Sequence, residues 1–239
     1  MKLVRVHTLR SLVALSLLAS AAAFAVSPAQ AAFPLRSPQV TVNPGDGAIQ
    51  SYFNGVGESI NVATDQLDAQ TWSTTVSGNS TLTLMLEIAG LANSNSIGVY
   101  NGNAVGSPTL YQVFPGAATQ GWYATAHFGL GGSLVVSLFD QNAVYQGQTA
   151  YAGVDKDNFG FYIQNGTGTY YSQDARNSGF AHVLTFAGTG VNFGSWWQCF
   201  EDLPNNTTDW DFNDAIVFVE SINPVPAAQS SWGRIKSLY

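Results

Sequence analysis

From residue 59 to residue 221, short runs of β-branched and aromatic residues alternate with clusters of Gly, Asn, Asp and Ser, a rhythm that predicts strands. Candidate strands are 59–63, 70–76, 81–89, 97–100, 110–114, 122–128, 133–139, 159–164, 169–172, 182–187, 196–200 and 215–221. Asn101-Gly102 and Asn165-Gly166 lie between such runs. Asn-Gly tolerates the positive φ of two-residue hairpin turns, so a hairpin is expected at each. No stretch of the core reads as a long helix, and no internal repeat is present. The pattern predicts an all-β fold, an antiparallel β-sandwich of jelly-roll-like type in a single domain.

The two ends read differently. Lys2, Arg5 and Arg10 precede an apolar run over 12–26, and Ala29-Gln30-Ala31 supplies a small-x-small cleavage pattern. Residues 1–31 are therefore expected to be a cleavable signal peptide, the apolar run being too short to cross a hydrocarbon core of about 30 Å. Residues 32–47 read as an extended lead-in, 48–222 as the sandwich domain with an acidic loop, and 223–239 as a Pro-containing tail. In that tail Trp232, Ile235 and Leu238 recur every third residue and form a short apolar edge. No second apolar segment reaches spanning length, so no membrane span is expected in the mature chain. The expected location is extracellular or on the cell surface.

Composition narrows the partners. With 46% hydrophobic and only 10% charged residues the chain folds rather than staying disordered. Eight Lys and Arg stand against fifteen Asp and Glu, for a formal net charge of −7, which excludes sequence-independent binding to nucleic acid or anionic lipid. Loss of residues 1–31 removes three cations and no anion, so the charged partner to expect is a cation. Cys199 is the only cysteine, which excludes a disulfide framework and any multi-cysteine zinc site. Its apolar run, 196–200, suits a buried thiol.

Negative charge concentrates in one place. Glu201, Asp202, Asp209, Asp211, Asp214 and Glu220 fall within twenty residues, with no Lys or Arg between Arg176 and Arg234. A like-charged pair at ~4 Å costs about 1 kcal/mol in water and ~4 kcal/mol at an effective dielectric near 20, so such a cluster calls for a counter-ion. Asp209-Trp210-Asp211-Phe212-Asn213-Asp214 alternates oxygen-bearing and aromatic residues. In a curved loop the oxygens turn to one centre while Trp210 and Phe212 pack against the domain. Calcium takes six to eight hard oxygens in loose geometry, and zinc prefers the His and Cys ligands that this loop lacks. The candidate ligands are Glu201, Asp202, Asp209, Asp211, Asn213 and Asp214, with Glu201-Asp202 supplied from the end of the aromatic strand 196–200. The competing reading is a solvated acidic loop. An EF-hand is excluded, because Asp214 stands where that loop needs Gly and the apolar run 215–219 carries Glu220 away as a strand. Asp155-Lys156-Asp157-Asn158 reads as an Asx-rich turn.

The segment Trp197-Gln198-Cys199-Phe200-Glu201-Asp202-Leu203, followed by Asp209-Trp210-Asp211-Phe212-Asn213-Asp214, resembles the carboxy-terminal signature of the exported bacterial domain-of-unknown-function family 4114. The resemblance covers about residues 80–222 and includes Asn95-Ser96-Ile97-Gly98-Val99-Tyr100 and Phe159-Gly160-Phe161-Tyr162. It implies a secreted or surface-bound, β-rich, calcium-binding protein without assigned enzymatic activity, with the six residues above as the positions carried over. Many members end in a Pro-Glu-Pro sorting signal with an apolar span. Here Asn223-Pro224-Val225-Pro226 has no such span after it.

The expected function is a secreted, non-enzymatic, calcium-stabilised sandwich with a structural or adhesive role. Its partners are calcium and a surface glycan or another extracellular protein. The alternative is a carbohydrate-binding module using exposed Trp and Tyr from Trp122-Tyr123, Tyr170-Tyr171 and Trp196-Trp197. Carboxylates bunched on one loop suit a cation better than the separate acid and base of a glycosidase. No Gly-x-Ser-x-Gly elbow occurs, and His127 and His182 lie in apolar strand patterns, so Ser-His hydrolysis is not expected.

Overall fold

The structure, a computed structural model, describes residues 33–43, 48–75, 80–89 and 94–226, with only the backbone of Ala48 and of 80–89. The signal-peptide reading of 1–31 and the apolar edge of Trp232, Ile235 and Leu238 lie outside the described residues. Two sheets face each other. One is six-stranded, in the order β13 (Ile222–Val225), β1 (Thr71–Thr74), β8 (Phe159–Gln164), β3 (Ser96–Asn101) and β4 (Leu110–Phe114), with β9 (Thr169–Tyr171) beside the end of β8. The other is seven-stranded, in the order β10 (Val183–Ala187), β11 (Trp196–Phe200), β12 (Ala215–Val219), β2 (Ser80–Ala89), β5 (Tyr123–Phe128), β6 (Leu134–Phe139) and β7 (Tyr145–Tyr151). Every pairing is antiparallel, giving an all-β, jelly-roll-like sandwich in which the chain repeatedly crosses from one sheet to the other.

The period-2 alternation of each strand decides what fills the middle. Ile97, Val99, Phe159, Phe161 and Ile163 from one sheet meet Phe128, Leu134, Val136, Trp196, Phe200 and Val217 from the other. Trp72 packs edge-on against Trp196 at 5.2 Å, and Phe128 stacks on Phe159 at 5.1 Å. On the outer face of the six-stranded sheet Tyr100 lies opposite Gly160 and Tyr162 opposite Gly98. A Cβ at either glycine would overlap its neighbours, so the two tyrosines bury themselves in the space that the glycines leave. The Arg176 guanidinium caps Tyr100 and Tyr171 at 5.3 and 5.9 Å.

The outer face of β10, β11 and β12 is buried as well. Leu184, Phe186, Trp197, Cys199 and Ile216 pack under α1 (Ala48–Gly55) and the turn after it, through Ile49, Phe53, Ile60 and Val62. Glu58 closes this second layer by accepting from Trp197 Nε1, Thr189 N, Thr189 Oγ1 and Asn192 Nδ2. These four bonds outweigh the burial that would raise its pKa and hold the carboxyl below the usual range.

Several expectations change. Residues 59–63 form a turn rather than a strand. Asn61 and Asp65 bond each other's backbone, and Gln50 of α1 takes the ladder's place by bonding Ile60 O and Val62 N. The tail is not entirely loop from 223, since β13 pairs with β1 through Val225. It is an edge strand, where Pro224 is tolerated. β7 went unexpected because its side chains are mostly exposed on both faces and show no apolar alternation. The hairpins at Asn101 and Asn165 exist, but with longer loops, because Tyr100 pairs with Leu110 and Gln164 with Thr169. Neither Gly102 nor Gly166 has positive φ. Among the described residues no helix is long and apolar enough to cross a membrane.

Candidate metal centre

β11 and β12 are neighbours whose ladder ends at the pair Phe200↔Ala215, and residues 201–214 form the loop between them. Glu201 and Asp214 thus leave the sheet side by side. Pro204 O accepts from Thr207 N and Thr208 N, folding the loop back on itself. The return leg carries the strain. Trp210 and Phe212 have φ of 62° and 55°, a region aromatic residues rarely occupy. They are held there because Phe212 is fully buried in the second layer and Trp210 packs against it. Asn43 of the lead-in straps the same leg through Trp210 O at 2.7 Å and Asp209 O at 3.1 Å.

The result is a carboxylate cluster. Oxygens of Glu201, Asp209 and Asp211 lie within 4.8 Å of one another, and so do oxygens of Glu201, Asp202 and Asp214. Glu201 and Asp202 have no exposed surface, Asp211 is 5% exposed, and Asp209 faces solvent. Asn213 is half-buried, and its backbone N–H donates to Asp211 Oδ1. Asp214 Oδ2 accepts from Asp202 N at 2.8 Å, and Glu201 Oε1 from Leu203 N at 3.2 Å. Glu201 Oε2 and Asp202 Oδ1 are buried with no hydrogen-bond donor. Burial, reinforced by Asp209 and Asp211, pushes the Glu201 carboxyl up to about 7. Burial, with Asp202, Glu201 and Asp211 adding to it, pushes Asp214 up to about 8.

Residues from outside the loop complete the surroundings. Asn95, just before β3, donates through Nδ2 to Asp202 Oδ2, and its own Oδ1 is a third buried oxygen without a donor. The loop between β8 and β9 clasps Asp202 O through Asn165 Nδ2 and Thr167 Oγ1 at 2.9 and 3.2 Å. His182 is no ordinary strand histidine. It is buried, contacts Glu201 O through Nδ1 and Asn205 through Nε2, and stacks on Tyr170 at 4.3 Å. Its contacts hold the outgoing leg of the loop at Glu201 and at Asn205. None of these four residues stands out locally, although the acidic spacing did mark the loop they support.

Three buried oxygens without donors beside five carboxylates fit a hard cation, and the donor set is all oxygen. The other sites differ. Asp155 Oδ1 accepts from Asp157 N and Asn158 N, an Asx turn. Glu220 is exposed past the far end of β12. Trp196 and Trp197 are both buried, Tyr170 is in the core and Tyr171 lies under Arg176, so these are not exposed stacking platforms. Burial raises the Cys199 thiol well above its ordinary range, consistent with a packing role.

No family model and no curated relative matches the sequence. Two solved structures are similar over part of the chain: a congerin II double mutant, 14% identical, covering 67% of this chain and 96% of its own at a TM-score of 0.19, and a congerin II single mutant, 11% identical, covering 66% and 98% at 0.17. At those scores they contribute nothing to the reading of the site.

Proposed function

We propose that this chain is a secreted, non-enzymatic β-sandwich module whose acidic loop is held by calcium, with a structural or adhesive role at the cell surface or outside the cell. One observation carries the reading: Glu201 Oε2 and Asp202 Oδ1 are buried acceptors without donors inside a cluster of five carboxylates. Leaving such groups unpaired costs about 1–3 kcal/mol each, more when charged, and a cation removes that cost. Glu201 would hold an ion with Asp202 and Asp214 or with Asp209 and Asp211, and Asn95 would stand beside Asp202 as a neutral oxygen. The ion would tie the β11–β12 loop to the start of β3, one sheet to the other. Export rests on the signal-peptide pattern of 1–31, and the resemblance to family 4114 supports both parts.

Thermal unfolding of the purified chain in calcium, magnesium and chelator tests this. At a hundredfold excess over Kd, binding is worth about 2.7 kcal/mol, which for a domain of this size is roughly 5–10 °C in Tm. The rise should appear with calcium, not with magnesium, and should vanish in Asp214→Asn. Superimposable curves would refute the reading and leave a solvated acidic loop.

A second reading, glycan binding, is favoured by one feature. Tyr123 stacks on Phe139 at 4.9 Å and Phe139 meets Tyr145 at 5.7 Å, forming an aromatic row on the outer face of β5, β6 and β7 with Tyr145 57% exposed. Tyr145→Ala would abolish retention on the bound glycan of an array, and an array with no hits would remove this reading.

A further inference from the structure

We propose that Glu201 bridges two divalent cations, an inner one held with Asp202 and Asp214 and an outer one held with Asp209 and Asp211. This deepens the cation reading above and rests on it. Calcium–oxygen distances are about 2.3–2.6 Å, so two ligands of one ion stand at most about 5 Å apart. Each three-residue set meets that limit, with all its ligand oxygens within 4.8 Å. The five carboxylates do not form a single set; they form two that share only Glu201. A single ion therefore takes one set and leaves the other, whereas two ions on either side of Glu201 take both.

Buried acceptors point into this arrangement independently of the acidic count. Asp202 has no exposed surface and its Oδ1 has no donor, while its Oδ2 accepts from Asn95, whose own Oδ1 is a buried acceptor without a donor. The inner set thus contains one such oxygen, and a second lies on Asn95 beside it. Glu201, also without exposed surface, has Oε2 without a donor, and its hydrogen bonds come from Leu203 N, to Oε1 at 3.2 Å, and from the Thr208 hydroxyl. Glu201 is the residue common to both sets, and it keeps a buried oxygen that no protein donor occupies. The positions differ in access: the inner is walled by Asp202, the Asn165–Thr167 clasp and the opposite sheet, while the outer opens to solvent at Asp209. The inner ion is then the slowly exchanging structural one, and the outer the one that responds to external calcium.

The test is native mass spectrometry and calorimetric titration of the full chain, stripped with chelator and titrated with calcium alone. Two ions per wild-type chain are expected, with one retained in Asp209→Asn and the affinity of the weaker step reduced tenfold or more. Asp209 is exposed, so that variant folds. Its calcium-dependent rise in Tm should persist, because the inner ion supplies it. One ion per wild-type chain overturns the bridge while leaving the single-cation reading intact, and no ion overturns both. Two ions in Asp209→Asn at wild-type affinity overturn the assignment of the outer position.

Discussion

Stability of the metal-free chain should increase as the pH falls from 8 to 5, and calcium should reverse the sign. The perturbation acts on Glu201 and Asp214, whose carboxyls burial first, and neighbouring carboxylates second, push up from 4.5 to about 7 and from 3.8 to about 8. A carboxyl raised in the folded state binds its proton more tightly there than in the unfolded chain. Its stabilising contribution is complete below the unfolded value and is lost as the pH rises through about 7 for Glu201 and about 8 for Asp214. Each pH unit in which only the folded state holds the proton is worth about 1.4 kcal/mol, so Glu201 alone accounts for about 3 kcal/mol between 4.5 and 7. That corresponds to roughly 6–12 °C in Tm for a domain of this size. Glu58, lowered rather than raised, loses its contribution only below the ordinary carboxylate range and leaves this window alone. With saturating calcium the proton competes with the ion for the same oxygens, so acidification should lower Tm instead. Calorimetric melts in metal-free buffer and in millimolar calcium at pH 5, 6, 7 and 8 measure both slopes. A metal-free Tm that is flat or falls toward pH 5 would refute the reasoning, because Glu201 and Asp214 would then be charged without penalty or already compensated.

Three further outcomes follow from the same geometry. Asp214→Asn keeps an acceptor for Asp202 N and removes a half-buried charge, so at pH 8 it should raise the metal-free Tm by a few degrees and abolish the calcium-induced rise. Glu58→Ala leaves Thr189, Asn192 and Trp197 donors without their acceptor and should cost about 2–4 kcal/mol, read as a lower urea midpoint. Cys199, fully buried with its thiol held protonated, should react with an aromatic disulfide reagent only on unfolding; rapid labelling of the native chain would show that the second layer opens.

How far the sequence could be read depended on whether an element carries its own signal. Strands rich in buried apolar and aromatic residues were legible to the residue: 110–114, 159–164 and 196–200 coincide with β4, β8 and β11. β7, with Gln and Gly exposed on an edge, carries no such signal, and β13 hides behind Pro224. The 59–63 run has strand-like Ile60 and Val62, yet Gln50 supplies its backbone partners from a helix, so it curls instead. The aromatic pairs show a related limit. Trp197 does face away from Trp196, but α1 covers it, and coverage by a remote segment leaves no trace in a strand's own pattern.

The acidic loop divides along the same line. Its charge density, the alternation of Asp209 to Asp214 and the oxygen-only chemistry are local properties, set by side chains a few residues apart, and the sequence by itself determined them. The sequence also placed Trp210 and Phe212 against the domain. Only the tertiary structure decided that Asn95, Asn165, Thr167 and His182 close on that loop, and that its five carboxylates split into two sets around Glu201. Asn95 and Asp202 are 107 residues apart and meet because β3, the β8–β9 loop and the β11–β12 loop emerge at one end of the sandwich. Periodicity along a chain reports backbone geometry within one element, whereas which strand ends coincide is set by pairing between strands distant in sequence.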